Sequence, residues 1–265
     1  MGQARKTEED YSVGEILACK VTPDELRSVG QCITIRNFLQ NERPAMWAET
    51  TLDDMLELSD AIRRFAHNRW RFMSGDATDE ELLLKHAAFT MLVPGGKAAR
   101  AREAVDRLFQ TGLPWLTSYT DKDVATMAEI IRPYVRFYKT KARNLARLWE
   151  KFPDIGAELI KFDAATCRDF LVETVSGFGL KAASHFMRNV GLSSFENALA
   201  IVDVHIRHFL FTVAYDAPYV VVEREFVHLA EKLNVNVHLL DACVWCAYSK
   251  NWKPDNADFD NFGVE

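Results

Sequence analysis

Two glycines one residue apart, set between two amphipathic segments, constrain this chain more than any other feature. In the stretch Leu171 to Leu210 an apolar-periodic segment ends at Val175. The turn Ser176-Gly177-Phe178-Gly179-Leu180 follows, and a second helix is expected from near Lys181 to Gly191. Such a pattern predicts two helices joined by a tight hairpin. The backbone N–H groups at the start of the second helix then sit at the positive end of its dipole, where an anion such as a phosphate is favoured. Beyond a short loop, the apolar run Leu199 to Val202 leads to Asp203 and another amphipathic segment, Asp203 to Ala214.

The rest of the chain reads as helices separated by breakers. Residues 1–20 are a loose lead. Thr22-Pro23-Asp24-Glu25 opens a helix with a capping threonine, an early proline and acids near the positive end. Arg43-Pro44 interrupts it. A long amphipathic helix is expected from Thr51 to about Trp70, with Leu52, Met55, Leu56, Ile62 and Phe65 on its apolar side. Ser74-Gly75-Asp76 is a turn, and Asp79 to Leu92 is a helix stopped by Pro94-Gly95-Gly96. Lys97 to Gln110, Asp121 to Ile131, Val135 to Phe152 and Asp163 to Val175 follow as helices. Val222 to Leu233 and Val237 to Tyr248 close the folded part, and Asp255 to Glu265 is an acidic tail. No alternating strand pair and no internal repeat is evident, so the fold class expected is all-α.

The segments Ser176-Gly177-Phe178-Gly179-Leu180-Lys181-Ala182-Ala183-Ser184-His185-Phe186-Met187-Arg188-Asn189-Val190-Gly191 and Ile201-Val202-Asp203-Val204-His205-Ile206 together resemble the helix-hairpin-helix DNA glycosylases. Within that superfamily the chain looks most like the archaeal-type 8-oxoguanine DNA glycosylase/AP lyases. The resemblance implies two helical subdomains with the hairpin at the cleft between them. It implies base-excision repair of an oxidised purine in double-stranded DNA, 8-oxoguanine first among them, by a monomer. It assigns Lys181 as the nucleophile and Asp203 as its assistant. It also places Gly177, Phe178, Gly179, His205, Arg207, Lys97 and Lys141 at the DNA, and Trp245 and Trp252 at the base pocket. No organic cofactor is implied, and the hairpin leaves room for a monovalent cation. The divisions expected are residues 1–75, a helical segment packing on the C-terminal helices; 76–214, the glycosylase core; and 215–265, the C-terminal helices and tail.

Chemistry gives each residue a second reading. A lysine opening a helix can attack a sugar carbon, because the dipole disfavours its ammonium form, or simply contact phosphate. Asp203 can stabilise positive charge developing on a sugar and take a proton from an amine. It can equally be the N-cap of the helix beginning at Val204, and one carboxylate can do both. Gly-x-Gly alone is an ordinary turn. A histidine such as His205 is more often structural, and Arg207 two positions on can face solvent. The basic run Arg136, Lys139, Lys141, Arg143 and Arg147 can line a DNA groove or be a solvated face. Cys243-Val244-Trp245-Cys246 has one CxxC and no second pair, so the two sulfurs are expected to pack on one helix face rather than hold a cluster.

Composition narrows the function classes. At 265 residues, with 48% hydrophobic and 26% charged residues, the chain has the make-up of a soluble globular protein. No apolar run approaches the roughly 20 residues of a membrane span. The polar stretch Met1 to Asp10 is not the pattern of a secretory signal. Five irregularly spaced cysteines suit a reducing, cytoplasmic setting, which in a prokaryote means the nucleoid. The net charge of −6 argues weakly against nucleic acid, since binding needs only a local basic face. Three alternatives stay open: the same chemistry on another damaged base, a non-catalytic hairpin DNA-binding protein, and a helical protein–protein adaptor.

Overall fold

The computed structural model describes residues 23–42, 55, 56, 59, 78–159, 161, 163–193, 199–210 and 217–248. Among these the regular structure is entirely helical. The elements are α1 (Pro23–Glu42), α2 (Thr78–Leu92), α3 (Ala98–Phe109), α4 (Asp121–Ile131), α5 (Tyr138–Leu159), α6 (Ala164–Thr174), α7 (Leu180–Asn189), α8 (Val204–Phe209), α9 (Tyr219–Leu233) and α10 (Val237–Tyr248). The lead, the Ser74 turn, the tail and Trp252 lie outside the described residues. So does most of the helix expected over Thr51 to Trp70. Of that helix, Met55, Leu56 and Ser59 are helical, and Met55 is fully buried.

Local chemistry sets several helix starts. Thr120 and Asp123 form a reciprocal capping box at α4. Asp163 accepts from the amides of Ala165 and Thr166, both at 3.0 Å, at α6. Asp203 accepts from His205 and Ile206 at α8. At the other end of α9, Asn234 adopts the left-handed conformation that releases the chain from a helix.

Two helices differ from the periodicity reading. α5 was expected to end at Phe152, ahead of Pro153, yet it runs on to Leu159. A proline forfeits one helical hydrogen bond. Here Phe152, Ile155 and Leu159 recur on one face and are all buried, so their packing offsets the loss. α5 also begins at Tyr138 rather than Val135, because Phe137 has a φ of +57°. α9 begins at Tyr219, three residues earlier than expected, with Pro218 at its N-cap.

The apolar side chains fall into two cores. The first gathers α2 to α7, with Phe89, Leu92, Leu108, Met127, Trp149 and Phe186 at its centre. The second joins α1 to α8, α9 and α10. Cys32, Ile35 and Leu39 of α1 pack there with Ile206, Phe226 and Leu240. The Phe38 and Phe209 rings meet edge to face at 6.2 Å, tying the start of the described chain to its C-terminal third.

A buried ion pair bridges the cores. Arg168 Nη1 on α6 donates to both carboxylate oxygens of Glu223 on α9, at 2.6 and 2.7 Å. Both side chains are about nine-tenths buried. Glu223→Ala strands that guanidinium away from water. It is expected to cost about 3–5 kcal/mol in urea unfolding, whereas Arg168→Met with Glu223→Leu costs markedly less.

Candidate active site at the hairpin

The hairpin is built as its sequence demands. Gly177 has a φ of +97°, and a Cβ there would lie 2.6 Å from Asn144 Nδ2 on α5. Only glycine satisfies both the conformation and the close approach. Gly179 differs: its φ is −107°, and a Cβ would meet nothing within 4 Å. Gly179 is the N-cap of α7 and offers no side-chain cap. The amides of Leu180, Lys181 and Ala182, in the first turn, therefore have no intrahelical acceptor.

Phe178 corrects the sequence expectation. Its side chain is buried in the first core against Phe186, and its amide donates to Val175 O. It shapes the turn from inside rather than presenting a surface. Backbone carbonyls are what such a turn can offer a monovalent cation. Those of Val175 and Gly179 each accept one amide and keep a second lone pair. Among the described residues no group of three or more His, Cys, Asp or Glu is placed to hold a metal.

Lys181 and Asp203 come together across the two cores. Lys181 projects from the first turn of α7, with its side chain 54% exposed. Asp203 is only 10% exposed, and its Oδ2 lies 4.0 Å from Lys181 Nζ. The two carboxylate oxygens have separate tasks. Oδ1 accepts the amides of His205 at 2.7 Å and Ile206 at 3.0 Å, which fixes the rotamer and leaves Oδ2 facing the lysine. One turn after Lys181, His185 is held neutral by burial, with help from the charges of Arg188 and Lys181. Its ring stands edge-on to Phe89 at 5.9 Å.

Behind Asp203 stands a second carboxylate. Asp241 on α10 is buried and accepts the Ile201 amide at 3.0 Å. Burial raises its pKa to about 7; Arg188 opposes the rise and Asp203 adds to it. Along the same face of α10, Trp245 follows at i+4 and Tyr248 at i+7, and Tyr248 lies 6.1 Å from the His205 ring. Trp245 is therefore carried between two contacts to the Asp203 segment, half-buried against the second core. Cys243 and Cys246 are buried on that helix.

The expected basic contacts divide. Lys97 is exposed at the N-cap of α3. Lys141 turns inward, contrary to the expectation of a DNA contact. Its Nζ donates to Leu92 O at 2.6 Å and Pro94 O at 2.8 Å, closing the C-terminal end of α2, and burial lowers its pKa to about 8. Arg207 Nη1 donates to Ala217 O at 2.7 Å, so that group braces its own chain. Phe137 was missed: it is 76% exposed in a left-handed conformation at the mouth of α5. The only sequence signal was an aromatic side chain between Arg136 and Tyr138, and helical periodicity absorbed it.

Residues 66–239 match the family described as 8-oxoguanine DNA glycosylase, Ogg-HhH. The chain belongs to this family. The 8-oxoguanine DNA glycosylase/AP lyase of Sulfolobus acidocaldarius is 26% identical over 200 residues, covering 72% of this chain and 94% of that protein. The Picrophilus torridus protein of the same name is 32% identical over 125 residues, 44% of this chain and 58% of its own. The fold is shared with the crystal structure of Methanocaldococcus jannaschii 8-oxoguanine DNA glycosylase, at a TM-score of 0.61 and 20% identity, covering 86% of this chain and 98% of that one. The M. jannaschii enzyme in complex with a 15mer DNA containing 8-oxoguanine superposes at a TM-score of 0.60 and 21% identity, covering 82% and 96%.

Two outcomes follow from the geometry of this family member. Gly177→Ala should lower unfolding stability by roughly 1–2 kcal/mol from the left-handed backbone alone, while Gly179→Ala leaves it unchanged; thermal melts of the two variants separate the cases. The pH profile tests Asp241. Its folded pKa lies above its unfolded value of 3.8, so its stabilising contribution is complete at low pH and is lost as pH rises through about 7. Asp241→Asn keeps an acceptor for Ile201 and cannot ionise. Its stability relative to the parent protein should therefore climb between about pH 4 and 7, measured by denaturant midpoints.

Proposed function

We propose that this protein is a base-excision repair enzyme. In this reading it removes 8-oxoguanine from duplex DNA and nicks the strand at the resulting site. The observation that carries it is the pair formed by Lys181 and Asp203. An exposed amine on the first turn of the hairpin helix faces a rotamer-locked carboxylate at 4.0 Å, in a chain of the Ogg-HhH family.

The phosphate backbone docks at the unpaired amides of Leu180, Lys181 and Ala182, with Lys97 and His205 beside it and a monovalent cation at the hairpin carbonyls. Phe137 enters the base stack as the damaged nucleotide rotates out, an exposed aromatic wedge of the kind that stabilises bent duplexes. Trp245 stacks on the extruded base, between Asp241 and Tyr248. Gly179 has open space where a side chain would collide with the incoming backbone.

Chemistry then proceeds on the chain's own groups. Asp203 Oδ2 takes a proton from Lys181 Nζ, closing the 4.0 Å gap as DNA binds. The amine attacks C1′, the C1′–N9 bond breaks, and its electron pair leaves with the base, which gains a proton. The fixed carboxylate stabilises the positive charge on the sugar as that bond lengthens. The sugar ring opens to a protonated imine between C1′ and Nζ. Loss of a proton from C2′ forms the C2′–C3′ double bond, and the 3′ phosphate departs with the C3′–O electrons. The products are a nicked strand and an imine that water hydrolyses.

Borohydride trapping tests the assignment. The protein incubated with duplex DNA bearing one 8-oxoguanine should form a covalent adduct on reduction. Lys181→Gln should form none and lose nicking by on the order of 10⁴-fold or more, with DNA binding retained. An adduct with an abasic site but not with 8-oxoguanine would discard the lesion and keep the lyase. An adduct that persists in Lys181→Gln, or none on either DNA, would overturn the reading.

A further inference from the structure

We infer that Tyr219 is a positioning residue for the lysine chemistry: its phenol fastens the segment leading to Asp203 to α9, the helix that Arg168 ties to the helix carrying Lys181. The inference rests on the reading of Lys181 and Asp203 as the reacting pair.

The geometry around one oxygen makes the case. Tyr219 Oη donates to Ala200 O at 2.8 Å and accepts from Val202 N at 3.1 Å. It therefore holds the extended segment at both ends of a three-residue stretch, and Val202 is the residue immediately before Asp203. A phenol has one hydrogen to give and two lone pairs, so these two bonds use its donor and one acceptor. Tyr219 thus grips the Asp203 approach from the first turn of α9. Ser184 is fully buried on α7, three residues and nearly one turn from Lys181.

The phenol is itself held in place. Glu223 lies one turn along α9 from Tyr219 and receives both bonds from Arg168. The same Arg168 nitrogen lies 3.4 Å from Ser184 Oγ. Glu223, Arg168 and Ser184 therefore form a chain of polar contacts joining α9, α6 and α7, and Tyr219 attaches the Ala200–Val202 backbone to the same α9. Asp241, on α10, anchors Ile201, the residue between the two that Tyr219 grips. Three consecutive backbone groups before Asp203 are thus set by side chains from two helices. The segment has no ladder or helix of its own to hold it, so these bonds decide where the carboxylate sits. The pair straddles two separate cores, and a shift of about 1 Å between reacting groups can cost on the order of 10²-fold in rate.

The test is the single-turnover rate of imine formation at a preformed abasic site, read by borohydride trapping, alongside the affinity for the same DNA. Tyr219→Phe keeps the ring and removes the oxygen. The trapping rate should fall roughly 10- to 100-fold with the dissociation constant within about twofold of the parent. Ser184→Ala removes the contact by which Arg168 ties α9 to α7 and leaves Ala200 and Val202 bonded to Tyr219. It should slow trapping in the same way, and the double variant should be no slower than Tyr219→Phe alone. A tyrosine that merely stabilises the fold would instead lower rate and affinity together, in proportion to the folded fraction, and the two substitutions would add. A folded Tyr219→Phe that traps at the parent rate overturns the positioning role and leaves the lyase intact. Should Tyr219→Phe not fold, a parent-like rate in Ser184→Ala overturns it equally. If the unsubstituted protein traps no abasic site, the lysine reading has failed and this role falls with it.

Discussion

The pair proposed to react, Lys181 and Asp203, does not belong to one core, and the rest of the structure is arranged around that fact. Lys181 rides on α7, whose inner face packs in the first core, while Asp203 follows a segment anchored in the second. Two independently packed bodies would let a 4.0 Å separation drift. The Arg168–Glu223 pair, buried and bidentate, ties α6 to α9 at the seam. Such a pair adds little net stability over a well-packed apolar alternative, because both charges must leave water. What it adds is direction: one guanidinium nitrogen reaches both oxygens of Glu223 while lying beside Ser184 Oγ, which sets how the two bodies meet.

The features proposed to face DNA are likewise tied to one scaffold. α5 carries Phe137 just ahead of its first turn, Lys141 in its first turn and Asn144 one turn later. Lys141 pins the turn after α2, and Asn144 sits against Gly177 of the hairpin. The exposed aromatic, the Pro94–Gly96 turn and the hairpin are therefore positioned by residues within about 10 Å of one another along a single helix axis. A lysine lost from the surface charge becomes a fastener.

Much of the architecture was legible because it rests on local chemistry. The caps at Thr120, Asp163 and Asp203, the glycine at the hairpin and the apolar periods of α3 and α4 need no distant partner to be read. Family likeness added the roles of Lys181 and Asp203, and the structure brings these two side chains together. Misreadings cluster where a distant contact overrules a local rule. Pro153 did not stop α5, because Ile155 and Leu159 had a core to enter. Lys141 did not face outward, because two carbonyls at the end of α2 needed donors. Phe178 did not line the surface, because Phe186 lies beneath it.

The sequence alone determined the helical periods, the caps, the left-handed turn at Gly177 and the order lysine then aspartate along the chain. These are properties of residues within a turn or two of each other, and their energetics are the same in any fold that admits them. Only the tertiary structure decided which oxygen of Asp203 faces Lys181, that Tyr219 and Asp241 hold the approach to it, and that Arg168 on one body meets Glu223 on the other. Those relations join residues 17 to 55 positions apart. No local pattern encodes such a pairing, because its free energy exists only once both bodies have packed and water has left the seam.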